Sequence, residues 1–192
     1  MAHREGPAGV WWFFLLAFTL IGLYCATRCL TRHVAGSAHR EQHASHTLMA
    51  AGMVFMFGPF MGGALIRGLW QAVFAAATAY FLMGAARSRR SEHSREMLAK
   101  LHHAVANGAM VYMFALPGLS VVTLTTILIA YFMVNVLVDG CRLAQEASGG
   151  AIRRWWDAVT RGGRILMASG MVYMFAVMDD LANAGVHHHH LG

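Results

Sequence analysis

Methionine and histidine recur at a fixed spacing in three segments of this 192-residue chain. The motif Met-Val-aromatic-Met-Phe occurs three times, and its first copy extends backwards into the pattern His-x2-Met-x3-Met-x2-Met. The members of the three copies are His46, Met49, Met53 and Met56; His103, Met110 and Met113; and Met167, Met171, Met174 and Met178. We call the methionines of each copy a Met stripe. An internal repeat of this kind predicts three copies of one structural unit.

The spacing places each Met stripe on one face of a helix. At about 100° per residue, positions 0, 3, 7 and 10 fall within an arc of about 80°. Thioether sulfur is a soft, neutral ligand that suits Cu(I), whereas Mg, Ca and Mn favour oxygen ligands. Because a charged ligand is costly inside a bilayer, the three Met stripes predict a path that binds or conducts a soft metal ion, with Cu(I) favoured.

Histidine and cysteine add candidate ligands at one end of this path. His46 and His103 occupy corresponding positions at the starts of two repeated helices. The thiols of Cys25, Cys29 and Cys141 are expected at the same side of the membrane. Cys25 and Cys29 are four residues apart, so they share a helix face. We therefore include all five residues among the candidate metal ligands.

Each of these patterns has a second interpretation. Methionine also fills gaps in a core and packs against aromatic rings, and every Met stripe has Phe or Tyr beside it. Cysteine is commonly just a small buried apolar residue. The four histidines at 187–190 are either a metal-binding tract or the remnant of an affinity tag. Asn107 and Asn135 lie inside predicted helices, where interhelical hydrogen bonds are their expected role.

Two other functions remain open beside the soft-metal hypothesis. His46 and His103 could be axial ligands of one haem, because they are predicted at similar depth on parallel helices. The chain could also be a structural or accessory subunit of a larger membrane complex, with the Met stripes as its core. An enzyme is not expected, because no phosphate-binding loop, nucleophile elbow or His-Glu-x-x-His motif occurs. No segment resembles a nucleic-acid-binding module.

The composition indicates which elements must position these residues. Hydrophobic residues make up 57% of the chain and charged residues 12%, against about 45–50% and about 25% in soluble domains. Segments of about 20 mostly apolar residues predict membrane-spanning helices. Six segments qualify: 10–29, 46–66, 69–86, 98–116, 119–141 and 165–182. We predict an all-α polytopic protein, a single integral membrane domain over residues 1–192, whose six transmembrane helices form three repeated pairs.

The positive charges predict the orientation. All but two of the 15 Lys and Arg residues, Arg4 and Arg67, fall in or beside the segments that follow predicted helices one, three and five. Basic loops stay in the cytoplasm, so we predict both termini outside and a location in the plasma (inner) membrane. Trp155 and Trp156 lie among arginines in the loop 143–163, which we expect to lie at the inner membrane surface.

Two resemblances accompany these patterns. The Met-x3-Met spacing of Met49/Met53 and Met167/Met171 is similar to the intramembrane Met pair of the eukaryotic high-affinity copper transporters, which are trimers of three-helix subunits. This likeness implies a copper path built as a pseudo-trimer, although Ala106 replaces the corresponding Met of helix four. Over most of its length, the chain resembles an uncharacterised actinobacterial multi-pass membrane family, which implies about six helices and no established activity.

Overall fold

The computed structural model describes residues 8–30, 37–58, 63–90, 94–115, 122–148 and 155–188. Its elements are six α-helices, so the predicted all-α class is confirmed. The helices are α1 (Ala8–Leu30), α2 (Ser37–Phe57), α3 (Ala64–Arg90), α4 (Ser94–Ala115), α5 (Val122–Ser148) and α6 (Trp155–His188). The described part of the chain is therefore almost entirely helical.

The junction between the second and third helices differs from the prediction. The predicted second helix extended to Ile66, but α2 ends at Phe57 and Ile66 belongs to α3. The N–H of Gly58 makes the last backbone hydrogen bond of this helix, to Val54 O at 2.8 Å. Pro59 follows in the sequence, and proline disfavours helical backbone at the preceding residue and has no N–H to donate. The residue pair Gly58-Pro59 therefore explains why α2 ends at Phe57.

Much of the predicted interfacial loop 143–163 is helical. Helix α5 continues to Ser148, and α6 begins at Trp155, earlier than the predicted start at Ile165. The extension of α5 contains good helix formers such as Leu143, Ala144 and Gln145, which explains why this helix continues past its apolar part. The extension of α6 contains Gly162 and Gly163, so helix propensity does not explain it. The end of α6 at His188 includes part of the run 187–190, whose side chains lie outside the described residues.

Three of the helices are long and apolar enough to cross a membrane. The qualifying segments are Gly9–Leu30 in α1, Ala64–Ser88 in α3 and Val122–Gln145 in α5. Among the described residues, the three helices that carry the Met stripes, α2, α4 and α6, do not contain such a segment. Each of the three segments is therefore followed along the chain by a helix that carries one copy of the repeat.

The chain forms two compact units, residues 1–115 with α1 to α4, and residues 116–192 with α5 and α6. Within them, consecutive helices pack as antiparallel pairs, α1 with α2, α3 with α4 and α5 with α6. In the first pair, Phe14 lies 5.3 Å from Phe57 at one end, and Tyr24 lies 6.4 Å from His43 at the other. All ring distances are between centroids.

The last aromatic residue of each Met-Val-aromatic-Met-Phe motif holds its helix to the preceding one. Phe57, Phe114 and Phe175 are all buried. Phe57 stacks on Phe14, Phe114 on both Trp70 and Phe74, and Phe175 on Phe132, with centroids 5.3 to 6.4 Å apart. Stacked aromatic pairs contribute about 0.5–1.5 kcal/mol beyond their buried area. The repeat thus encodes the same packing contact in all three helix pairs.

Exposure divides the helices into two classes. Among the described residues, every exposed large apolar side chain except Leu98 and Leu101 belongs to α1, α3 or α5. Those two lie near the start of α4. By contrast, α2 and α6 contribute none. In a protein that crosses a bilayer, the apolar face of a helix is directed towards lipid rather than towards the interior. We therefore call α1, α3 and α5 the outer helices, and α2, α4 and α6 the inner helices.

Gly52 marks the closest approach of α2 to its neighbours in the first unit. A Cβ atom at this position would lie 2.6 Å from Met110 Cε of α4 and 2.6 Å from Phe74 Cζ of α3. Small residues let membrane helices approach closely. The absence of a side chain at Gly52 therefore lets α2, α3 and α4 meet at one point.

We predict that Gly52→Ala lowers the free energy of unfolding by about 1–3 kcal/mol, the usual cost of overpacking, because the Phe74 ring must move. Gly108→Ala is the matched control. Its new Cβ would meet nothing nearer than Thr78 at 3.8 Å, and alanine is favoured over glycine within a helix. Denaturant titration of the purified protein in detergent measures both changes. A Gly52→Ala protein as stable as the wild type would contradict this close helix contact.

Candidate functional site between two inner helices

The Met stripes point into the protein. All eight of their described side chains are buried: Met49, Met53, Met56, Met110, Met113, Met167, Met171 and Met174. Met178 belongs to the third stripe, but its side chain lies outside the described residues. By contrast, Met83 and Met133, which belong to no stripe, are about half exposed. The helical spacing thus separates buried methionines from exposed ones.

The structure brings together the two histidines that occupy corresponding positions in the repeat. Their rings on α2 and α4 are 5.5 Å apart with an angle of 61° between planes. His46 is 3% exposed and His103 is 8% exposed. The two helices run parallel, because Phe55 also lies 6.3 Å from Phe114 near their other ends. Corresponding residues of two repeats therefore lie side by side in the first unit.

These two rings belong to a group of buried polar side chains on α2 and α4. We use the name polar layer for His43, Ser45, His46, His103 and Asn107, all of which are less than 9% exposed. Two rings border it from other helices: Tyr24 lies 6.4 Å from His43, and Phe81 lies 5.1 Å from His103. Polar and ionisable residues are rare in membrane interiors, where they commonly mark functional sites.

Asn107 joins the two helices of the polar layer. Its Nδ2 donates a hydrogen bond to Ser45 Oγ of α2 at 3.2 Å and another to the backbone oxygen of His103 at 2.7 Å. A backbone carbonyl only accepts hydrogen bonds, so the nitrogen of the amide must face His103 O. The predicted interhelical role of Asn107 therefore agrees with this contact. Asn135 instead donates to Tyr131 O within its own helix.

The polar layer carries no buried carboxylate. Among the described residues, no Asp or Glu is buried, and no three His, Cys, Asp or Glu side chains come together as metal ligands. Glu41 accepts a hydrogen bond from the Tyr80 hydroxyl, and Glu96 pairs with Lys100. Hard divalent ions require several oxygen ligands. The described side chains of the layer therefore offer imidazole, hydroxyl and amide groups, without a carboxylate.

The two imidazoles have a separation that one small ion can bridge. Metal–nitrogen bonds of about 2 Å from one nitrogen of each ring are compatible with centroids 5.5 Å apart. Met49 lies one helical turn after His46 and is 3% exposed, so its thioether is close enough in the fold to be considered as a third ligand. Two imidazoles and a thioether form a ligand set that suits Cu(I).

The same two imidazoles are the predicted axial ligands of one haem. Their ring centroids lie 5.5 Å apart, and the Phe81 ring packs 5.1 Å from His103. The haem hypothesis stays a prediction.

One methionine of the stripes also has a packing role. The terminal methyl group of Met110 and the Phe74 ring both lie over Gly52. Contacts between thioethers and aromatic rings stabilise cores without any ligand. Met110 therefore supports the second interpretation of the Met stripes, in which methionine fills the core.

The three cysteines occupy different environments. Cys25 is buried, Cys29 is partly exposed and Cys141 is exposed. A Cβ at Gly22 of α1 would lie 3.3 Å from Ala50 Cβ of α2. Cys25 lies about one turn after Gly22 and His46 about one turn before Ala50. Because α1 and α2 are antiparallel, Cys25 and His46 lie at a similar level. Cys141 belongs to the second unit. In the first unit, Cys25 is thus a buried cysteine at about the level of His46.

The third repeat differs at the histidine position. Arg164 corresponds there to His46 and His103, and its guanidinium pairs with Asp139 of α5 at 2.9 Å. The second unit therefore keeps the buried Met stripe of α6 but has an ion pair in place of an imidazole. An arginine paired with a carboxylate does not bind a metal cation.

Sequence reasoning overlooked part of the polar layer. His43 and Ser45 are not part of the repeated motif. For Asn107 the sequence predicts an interhelical hydrogen bond and no place in a binding site. His43, His46 and Ser45 lie close together on α2, and this local density of polar residues in a helix that must be buried was the available signal.

Comparison with known proteins places the polar layer and the Met stripes within one family domain. No curated protein and no solved structure matches the chain significantly. A family model, described as a domain of unknown function (DUF5134), matches residues 38–178. This range includes His46, His103 and every Met stripe, whereas α1, with Cys25 and Cys29, precedes it. The matched residues cover well over half of the sequence, so the chain belongs to the family of the DUF5134 domain.

Proposed function

We propose that this protein is an integral membrane protein that binds or conducts a soft metal ion, with Cu(I) as the favoured ion. The site lies between α2 and α4, where His46 and His103 supply imidazoles and the first two Met stripes supply thioethers. The observation that carries this proposal is the pair of buried imidazoles, 5.5 Å apart, at one end of two buried Met stripes.

The burial of neutral ligands supports this choice of ion. A monovalent soft cation needs few ligands and no negative charge, so it avoids the cost of burying carboxylates in an apolar interior. The absence of buried Asp and Glu from the described residues agrees with this requirement. The stripe of α6 has an ion pair at its histidine position, so we place the imidazole site on α2 and α4 alone.

The distribution of apolar side chains supports the membrane location. The outer helices α1, α3 and α5 are exposed and apolar enough to span a bilayer. We propose that the inner helices cross the same membrane, since each is antiparallel to an outer helix. The arginine distribution supports an orientation with both termini outside and the polar layer near the cytoplasmic side of the plasma membrane.

A structural or accessory subunit is the second candidate function. The packing of Met110 and Phe74 over Gly52 favours it, because this contact explains a buried methionine without any ligand. The two functions differ in one measurable property. A metal site requires sulfur and nitrogen ligands, whereas a packing role requires only apolar side chains of similar volume.

We predict that the purified protein, loaded with Cu(I) under reducing conditions, retains about one ion per chain that imidazole and thioether coordinate. His46→Leu and His103→Leu should each abolish most of this binding. Replacement of Met49, Met53, Met110 and Met113 by leucine should weaken it while the fold persists, because Met-to-Leu changes conserve volume and cost less than about 1.5 kcal/mol. Elemental analysis and X-ray absorption spectroscopy measure stoichiometry and ligands.

Two variants are matched controls for this experiment. Met83→Leu and Met133→Leu change exposed methionines outside the stripes, so Cu(I) binding should not change. Wild-type protein without retained copper, or with the same copper content after the four stripe replacements, would contradict the metal proposal. Co-purification of a defined membrane partner in that case would favour the accessory-subunit function.

The proposed topology predicts the side of the membrane for three exposed positions. In a variant without native cysteines, Gly9→Cys at the start of α1 and Ala64→Cys at the start of α3 should react with an impermeant maleimide in intact cells. Ala147→Cys in the last turn of α5 should react only in inverted membrane vesicles. All three residues are exposed in the fold.

Ala64→Cys is the decisive position. If α2 crosses the membrane, residue 64 returns to the outside, whereas a protein in which only α1, α3 and α5 cross would have residue 64 inside. Protection of Ala64→Cys in intact cells would therefore contradict the six-helix topology. Labelling of Ala147→Cys from outside would contradict the proposed orientation.

A further inference from the structure

Asn107 lies in the polar layer with His46 and His103 and joins the helices that carry them. It is completely buried, and its Nδ2 donates to Ser45 Oγ and to His103 O. Its other polar atom, Oδ1, is also buried and accepts no hydrogen bond from the part of the chain that the structure describes. Asn107 Oδ1 can therefore still accept a hydrogen bond.

A buried acceptor of this kind needs a physical explanation. An unsatisfied acceptor destabilises a protein interior, and most buried polar atoms have a partner. The amide cannot simply rotate by half a turn, because its oxygen would then face the carbonyl oxygen of His103. The orientation of Oδ1 is thus a consequence of the two hydrogen bonds that Nδ2 makes.

Histidines that bind metal ions have a complementary requirement. An imidazole that ligates an ion through one ring nitrogen almost always donates the N–H of the other nitrogen to a carboxylate, a carbonyl oxygen or water. This hydrogen bond selects the tautomer and holds the ring in the orientation that binds the ion. The polar layer contains no buried carboxylate among its described residues, so an amide oxygen is a suitable neutral acceptor.

We propose that Asn107 is the positioning residue of the histidine pair. Its Oδ1 accepts the N–H of an imidazole that binds Cu(I), either directly or through one water molecule, while its Nδ2 holds α2 and α4 in register. The inference rests on the proposed function. It adds a residue that contacts a metal-binding imidazole and does not contact the ion itself. A neutral acceptor suits this place, because an aspartate would add a buried charge to an apolar interior.

Two substitutions at Asn107 separate positioning from structural support. Asn107→Leu has similar volume and removes both the donor and the acceptor. Asn107→Asp keeps an acceptor oxygen and loses the Nδ2 donor. For a positioning role, Asn107→Leu should weaken Cu(I) binding by about 10–100-fold, whereas Asn107→Asp should retain Cu(I) binding. Both variants lose the Nδ2 donor, so both should lower the melting temperature.

Ser45→Ala is the matched comparison. It removes the hydroxyl that receives the interhelical hydrogen bond from Nδ2 and leaves Oδ1 intact, so it should lower Cu(I) affinity much less than Asn107→Leu does. Affinity is measured on the full-length protein in detergent by competition with a chromophoric Cu(I) chelator. In the Cu(I)-loaded protein labelled with ¹⁵N-histidine, an exchange-protected ring N–H signal should be present in wild type and Asn107→Asp and lost in Asn107→Leu.

The outcomes distinguish this inference from the proposed function. Wild-type protein that binds no Cu(I) contradicts the proposed function and this role with it. Wild-type binding with unchanged affinity in Asn107→Leu contradicts only the role of Asn107, as does an equal loss of affinity in Ser45→Ala. If Asn107→Leu does not fold, Asn107→Gln keeps the amide and displaces its oxygen. Unchanged affinity in Asn107→Gln would then overturn the inference.

Discussion

The parallel packing of α2 against α4 determines where the buried polar groups of the first unit lie. Gly52 permits this packing, because a side chain there would collide with Met110 and Phe74. The hydrogen bond from Asn107 to Ser45 links the same two helices. With the helices held in this way, the imidazoles of His46 and His103 necessarily face each other. Without the packing of α2 against α4, the two rings would be separate polar groups on separate helices.

The first unit contains a buried polar layer and has an apolar exterior. Its exposed apolar side chains lie mainly on α1 and α3, whereas the polar layer lies on α2 and α4. A helix satisfies its own backbone hydrogen bonds, so it can enter a bilayer, but its polar side chains need partners inside the protein. In the first unit, α1 and α3 carry most of the exposed apolar side chains. Some polar atoms of the layer form hydrogen bonds within it, as Asn107 does with Ser45 and His103. Such a layer is costly unless it binds something or joins helices.

The three repeats share their packing residues and differ at the site. Phe57, Phe114 and Phe175 each stack on the preceding helix of their own pair. At the histidine position, however, the third repeat has Arg164, which pairs with Asp139. The aromatic contact is needed by every helix pair, whatever its chemistry. The histidine pair is found on α2 and α4, the two helices between which the proposed function places its site.

The sequence by itself determined the helical class, the repeat and the buried face of each inner helix. Composition and spacing sufficed for these, because a helix with a period of 3.6 residues assigns each side chain to a face. It did not determine that α2 ends at Phe57, that α6 begins at Trp155, or which repeats pack together. The tertiary structure alone decided that His46 lies against His103 and that Asn107 joins them through Ser45. Such contacts link residues far apart in the chain, and they depend on the distance between helices, which is set by packing at Gly52 and not by any local pattern.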